Sequence, residues 1–448
     1  MPEIHPLLES VSSLPRTGRI TRGTIAGVAM ARAGVAHLRH KARGLARSDE
    51  QQAQARAEHE AALGRILFSA LNQLKGCALK ASQLLSMELG FLPEAMRVEL
   101  ARAHYKVTPL NQALVIKVMR QAFGQDPDAL FQSFEPQAFA AASLGQVHAA
   151  TLSSGEPVAV KLQYPGMAAS IGSDMRLLRS LLQTMRAGSD RLPNAEIMER
   201  VLADIEVKLA EELNYLHEAA QLIWFGKHLT LPGLVVPQPI MALTQQRVLT
   251  MQRLQGDHLN EWLQREPCQS ERDHYGQLLF DTFMHCTFEL HRLQADPHPG
   301  NYLFLPDGQL GLLDFGCTRT LDVTCCNALA VAWSALLRNP IDAEPMRKAY
   351  LQLGMIAPSL SSEEFASQLL PALAPLQRWQ SLPFSQATYD FGQHPAAPLM
   401  DEEQHRQAFR YLHAMPPDLP YFDRAYLGLV ALLRKLGARV RTGNRWIG

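Results

Sequence analysis

The chain has 448 residues and is 47% apolar, enough to bury the cores of two or three domains or of one bilobal unit. Lys plus Arg and Asp plus Glu number 43 each, so no global field selects nucleic acid, and electrostatic partners must be read locally. The six cysteines form no CxxC pair, which fits a reducing compartment and offers no zinc pattern.

The first local asymmetry is N-terminal. Arg16, Arg19, Arg22, Arg32, Arg39, Lys41, Arg43 and Arg47 face only Glu3 and Glu9, so residues 1–50 read as a basic, flexible arm. Residues 25–38 are broken by Arg32 and His37 and are too short to span a bilayer; they suit either a solvated tail or a basic stretch lying on an anionic surface. Segment 51–125 is expected to be helical, because Leu63, Ile66, Leu67, Leu71, Leu74, Leu79, Leu84 and Leu85 recur at three-to-four spacing.

The period then changes. After residues 139–142, residues 146–151 and 157–162 read as two short strands, joined through Ser153, Ser154 and Gly155. Pro193 and Asn194 open one long helix, whose stripe runs from Ile197 through Leu209 and Leu216 to Ile223. Strands are expected at 234–237 and 248–252, and past Gly256 the chain turns helical. Residues 126–255 therefore form a β-containing lobe and 256–448 a helical lobe, an α+β, bilobal, helix-rich arrangement.

The most informative stretch lies in the second lobe, where QADPHPGN (294–301) is followed by GLLDFG (311–316). An aspartate followed five positions later by an asparagine, and then by DFG, is the spacing of a kinase phosphoryl-transfer site. Mg²⁺ takes hard oxygen ligands and bridges nucleotide phosphates, so Asn301 and Asp314 suit the metal, while Asp296 would orient the attacking hydroxyl or water. Tyr302 to Leu305 and Leu310 to Leu313 flank Pro306, Asp307 and Gly308 as a hairpin. Upstream, VAVK (158–161) nearly repeats the kinase VAIK strand, which makes Lys161 the phosphate lysine.

A glutamate to fix that ammonium should come from Glu211, Glu212 or Glu218 in EELNYLHEA (211–219). On one helix Glu212 and Glu218 differ by about 120°, so a single helix would serve two lysines. In place of a glycine-rich phosphate loop stand Ala140, Ala141, Ala142, Ser143, Leu144 and Gly145, a stiffer loop than glycine would make. After DFG, Asp322 reads as a helix cap within a few residues, and no APE sequence follows, which leaves little room for an activation loop.

Together, LKGCALKASQLLS (74–86), AAASLGQVHAA (140–150), VAVKLQYPGM (158–167), EELNYLHEA, QADPHPGN and LLDFGCTR resemble the UbiB/AarF/ADCK family of atypical protein-kinase-like proteins linked to ubiquinone biosynthesis, over roughly residues 70–440. The resemblance implies a kinase-like fold with an N-terminal helical extension covering the place of a peptide substrate. Lys80 and Gln83 match the ends of the family's KxGQ motif. By the same resemblance Lys80 associates with Glu212 and reaches the nucleotide site, and Glu218 pairs with Lys161. Implied cofactors are ATP and Mg²⁺.

Implied partners are ATP, an isoprenoid or phenol lipid precursor, an anionic membrane touched peripherally and a biosynthetic protein complex, with no nucleic acid. The implied placement is cytoplasmic, against the inner membrane face. Ser82 stands where KxGQ has glycine, Asn214 where ExD has aspartate, Gln294 where many members have histidine, and Gln252 where glutamate is frequent. The C-terminal sequence is too basic to span a membrane, with Trp446 as an interfacial anchor or part of a solvated helix end. Three functions compete: an ATPase or small-molecule kinase, a nucleotide-binding pseudokinase scaffold, and an ordinary protein kinase, which the missing APE disfavours.

Overall fold

A computed structural model describes residues 19–43, 49–74, 77–87, 94–101, 109–142, 144–186, 195–398 and 402–447. The chain divides into two compact units, residues 1–220 with 239–253 and residues 221–238 with 254–448. Among the described residues no helix is long and apolar enough to cross a membrane.

The first unit combines helices with an antiparallel sheet. Gly145–Thr151 pairs on one side with Pro157–Gln163, which in turn pairs with Val248–Gln252; Ala140–Ala142 and Ser133–Phe134 pair along the other side of Gly145–Thr151. Gly155, with φ of +89°, closes the expected turn at 153–155. One face of the sheet presents Val158, Val160, Leu162 and Val248 to a core that also contains Leu63, Leu67, Leu71, Leu74, Leu85 and Leu178 from the helices. The extension and the sheet thus share a single hydrophobic core. Among the polar groups buried beside it, Gln146 accepts from Leu110 N at 2.7 Å and its amide meets His148 at 2.7 Å.

Three expectations are corrected here. The basic arm is not flexible over its described part: Arg19–Arg43 is a helix whose Ile25, Ala29 and Ala33 are buried in the common core, because small and branched residues at four-residue spacing give one packable face. Residues 1–18 lie outside the described residues. Ala140–Ala142 is a paired strand rather than a phosphate loop, since each alanine has a partner across Gly145–Val147. The long helix is two, Ala195–Glu212 and Tyr215–His228. Asn214 breaks it, its Oδ1 accepting from His217 N at 3.3 Å while Tyr215 N donates to Gln246 O at 3.1 Å.

The second unit is mainly helical, around the helices Gln269–Phe288, Val323–Leu337 and Leu419–Leu436. Its core is aromatic: Trp333 lies 4.9 Å from Tyr426 and 5.4 Å from Phe422 between ring centres. Two small sheets carry the motifs. Arg292–Gln294 pairs with Thr318–Thr320, and Leu310–Leu312 pairs with Tyr302–Phe304 and, in parallel, with Leu234–Val235. Gly308, with φ of +82°, forms the expected turn, and Asp322 caps the next helix by accepting from Thr324 N at 2.6 Å. The C-terminal segment is not a solvated helix end. It turns at Gly437 into strand Arg439–Arg441, and Trp446 stacks on Phe288 at 5.5 Å instead of projecting as an anchor.

Candidate active site

In the first unit, strand alternation decides which residues leave the core face. Val158, Val160 and Leu162 point into the core, so Ala159, Lys161 and Gln163 take the other face. Across the sheet, Ala140, Val147, Lys161 and Leu249 stand opposite one another in one row, and Ala149, Ala159 and Met251 form the next. Directly opposed residues project to the same side, so the alanine strand and the lysine share a face, the two rows about 7 Å apart along the strand.

Lys161 Nζ donates to both carboxylate oxygens of Glu218 at 2.8 Å, and the two side chains are 7% and 2% exposed. Lys80 Nζ lies 3.0 Å from Glu212, a second buried pair. Glu211 is taken by Lys208 at 2.9 Å. The break at Asn214 lets the end of one helix and the start of the next address two different lysines. Ions buried this deeply need partners, because desolvation costs several kcal/mol per ion. Ser82 is fully buried and its hydroxyl makes no hydrogen bond, so the substitution for glycine adds volume without a polar contact. The Gln83 side chain and Ser143 lie outside the described residues.

In the second unit, Asp296, Asn301 and Asp314 are brought together by main-chain bonds. Asn301 Nδ2 donates to Asp296 O at 2.9 Å, which directs the amide oxygen the other way. Leu313 N donates to Asn301 O at 2.9 Å, and Gly316 N donates to Asp314 Oδ1 at 2.8 Å. Gln294 completes the frame: its Nε2 donates to Asp296 O at 2.8 Å and to Asp314 O at 3.2 Å. The glutamine that replaces a histidine is thus a two-way brace between the DPHPGN loop and DFG. Phe315 packs 4.4 Å from the Phe225 ring and is buried.

One contributor has no signal in the motifs. The helix Leu419–Leu436 lays Tyr421, Arg424 and Gly428 along the DPHPGN segment. Tyr421 clusters with Ala295 and Cys317, Arg424 Nη2 donates to Asp296 Oδ1 at 3.0 Å, and a Cβ on Gly428 would overlap the Pro297 ring. Three- and four-residue spacing puts these positions on one face, but the sequence does not say what that face meets. Arg319 ties down the N-terminal end of the same helix, donating to Asp418 at 2.9 Å with its guanidinium 4.9 Å from the Tyr421 ring centre. Arg424 thus engages one carboxylate oxygen of Asp296 directly.

In the second unit Asp314 offers a hard carboxylate oxygen and Asn301 an amide oxygen directed by its own hydrogen bond, donors of a kind that would suit Mg²⁺; in the first unit Lys161 offers a fixed ammonium.

Comparison with known proteins agrees. The family model of the ABC1 atypical kinase-like domain matches residues 102–348. The mitochondrial atypical kinase COQ8B of Rattus norvegicus is 36% identical over 262 residues, 56% of this chain and 47% of that protein. The mitochondrial atypical kinase COQ8 of Schizosaccharomyces pombe is 30% identical over 392 residues, 86% of this chain and 62% of that protein. A probable serine/threonine-protein kinase of Dictyostelium discoideum is 31% identical over 56% of this chain and 46% of its own length, so the chain spans about half the length of the curated relatives it matches. Among solved structures, the Rv3197–erythromycin complex from Mycobacterium tuberculosis superposes with a TM-score of 0.58 at 24% identity, covering 88% of this chain and 96% of that one, a likeness of fold. The fold is kinase-like, helix-rich α+β, and the chain belongs to the ABC1 atypical kinase-like family.

Proposed function

We propose that the chain is an ATP- and Mg²⁺-dependent atypical kinase or ATPase of the UbiB type, supporting ubiquinone or related isoprenoid-lipid biosynthesis. The observation that carries this reading is the frame holding Asp296, Asn301 and Asp314 through Gln294 and the main chain. Asn301 and Asp314 would hold the metal, which when bound neutralises phosphate charge. Lys161, fixed by Glu218, would hold the phosphates, and the apolar row of Ala149, Ala159 and Met251 gives the adenine a flat place to lie. The kinship with COQ8 proteins supports the quinone pathway.

An ordinary protein kinase is disfavoured by the short path from DFG to the next helix at Val323. The second reading, a nucleotide-binding pseudokinase scaffold, is favoured by the Arg424–Asp296 pair, which engages a carboxylate oxygen that the catalytic role would require. Peripheral contact with an anionic membrane, from the cytoplasmic side, is supported by the outer face of Arg19–Arg43. There Val28, Val35 and Leu38 are exposed alongside Arg32 and Arg39. A lipid precursor and a biosynthetic complex are the further partners of this reading.

The test is ATP hydrolysis with Mg²⁺, with and without anionic liposomes, alongside Asp314→Asn. Turnover that rises with liposomes and vanishes in the variant is expected; tight nucleotide binding without turnover in either condition would replace the enzyme reading by the scaffold.

A further inference from the structure

The bidentate contact with Glu218 does not exhaust the surroundings of Lys161. Its Nζ lies 5.1 Å from the centre of the buried Tyr215 ring. An ammonium within about 6 Å of an aromatic centroid is attracted by the ring's negative face, more strongly where water is excluded. Tyr215 opens the helix Tyr215–His228, its N–H fixed on Gln246 O at 3.1 Å, so the ring is anchored one turn before Glu218. The far end of the same side chain reaches the alanine hairpin. A Cβ on Gly145 would stand 2.8 Å from Tyr215 Oη, and Gly145 pairs with both Ala142 and Gln163.

We propose that Tyr215 is a positioning residue for Lys161: its ring face keeps the ammonium charged and centred, and its hydroxyl end, packed against Gly145, backs the turn of the Ala140–Ala142 hairpin. The carboxylate holds the ammonium through two hydrogen bonds to one group. The ring adds a second wall and, unlike an aliphatic residue, does not disfavour the charge. The ligand chemistry served is a nucleoside polyphosphate, and this purpose rests on the nucleotide reading above.

The experiment is carbamylation of the full chain by cyanate, which attacks neutral amines, followed at Lys161 by peptide mass spectrometry across pH. The parent is compared with Tyr215→Phe and with trifluorophenylalanine incorporated at the same position, which keeps the ring's shape and weakens its negative face. The high-pH plateau reports access, and the midpoint reports the charge. Tyr215→Phe should keep the parent midpoint, whereas the fluorinated ring should lower it, with several-fold faster labelling at a fixed pH below the plateau. An identical midpoint for the fluorinated ring would overturn the charge-holding role.

Mg·ATP should protect Lys161, and Tyr215→Phe should need several-fold more ATP for equal protection; unchanged protection would overturn the hydroxyl's backing of the hairpin. Absence of protection in the parent would instead overturn the nucleotide reading, leaving the ring contact to be judged by the fluorine series alone.

Discussion

In the first unit the charged groups are satisfied by other side chains: Lys161 by Glu218 at 2.8 Å and Lys80 by Glu212 at 3.0 Å, all nearly enclosed. In the second, the acids are framed by the main chain and by Gln294, and Arg424 reaches an Asp296 whose side chain is 22% exposed. The difference follows from sign and task. Lys161 on its sheet face has no nearby backbone acceptors to spare, because the ladder uses them, and Lys80 on the helix Cys77–Met87 lies where the helical bonds use the carbonyls, so both take carboxylates from helices. Acids in a tight loop find N–H groups close by and need fewer countercharges.

The sharpest way to break this contrast is to remove one partner from each unit. Glu218→Ala leaves an ammonium buried without its countercharge and should cost about 3–5 kcal/mol in chemical denaturation. Arg424→Met should cost about 1–2 kcal/mol, since Asp296 keeps water and its carbonyl keeps both amide donors. Equal costs would mean that the second unit depends on ion pairing as much as the first.

Acid titration separates the units in a second way. Burial, with Arg434 adding, pushes the His394 imidazole in the second unit down to about 4. A depressed imidazole contributes stability that is present above the unfolded value near 6.5 and lost as pH falls towards 4, by up to about 3 kcal/mol. His394→Gln should flatten that part of the stability curve, as followed by thermal unfolding between pH 7 and pH 4. In the first unit burial lowers His148 as well, opposed by its bond to Glu135 O. A curve unchanged in His394→Gln would place the acid sensitivity elsewhere.

Gly428→Ala is the most local of these changes. The added methyl meets the Pro297 ring, and such overpacking costs about 1–3 kcal/mol. The expected signature is a shift of the DPHPGN loop, seen as lost nucleotide affinity with a small change in melting temperature.

What the sequence made legible were features with local physical causes. Alternating apolar residues placed the strand that carries Lys161, Pro306 to Gly308 placed the turn before DFG, and Asp322 placed a helix start. The Glu218 and Glu212 partnerships came from family resemblance, and the structure contains both. What stayed hidden depends on tertiary contact. An apolar stripe continuing past Glu212 conceals a break made by Asn214, whose capping bond outweighs the stripe. The alanines read as a loop because nothing local tells a strand edge from a turn. Arg424, more than a hundred residues beyond DFG, carries no pattern that points to Asp296.

Calorimetric titration of ATP with Mg²⁺ into the parent, Lys161→Met and Asp314→Asn tests the proposed nucleotide function most directly. The account predicts at least a tenfold loss of affinity in each variant. Parent-like binding in both would contradict it.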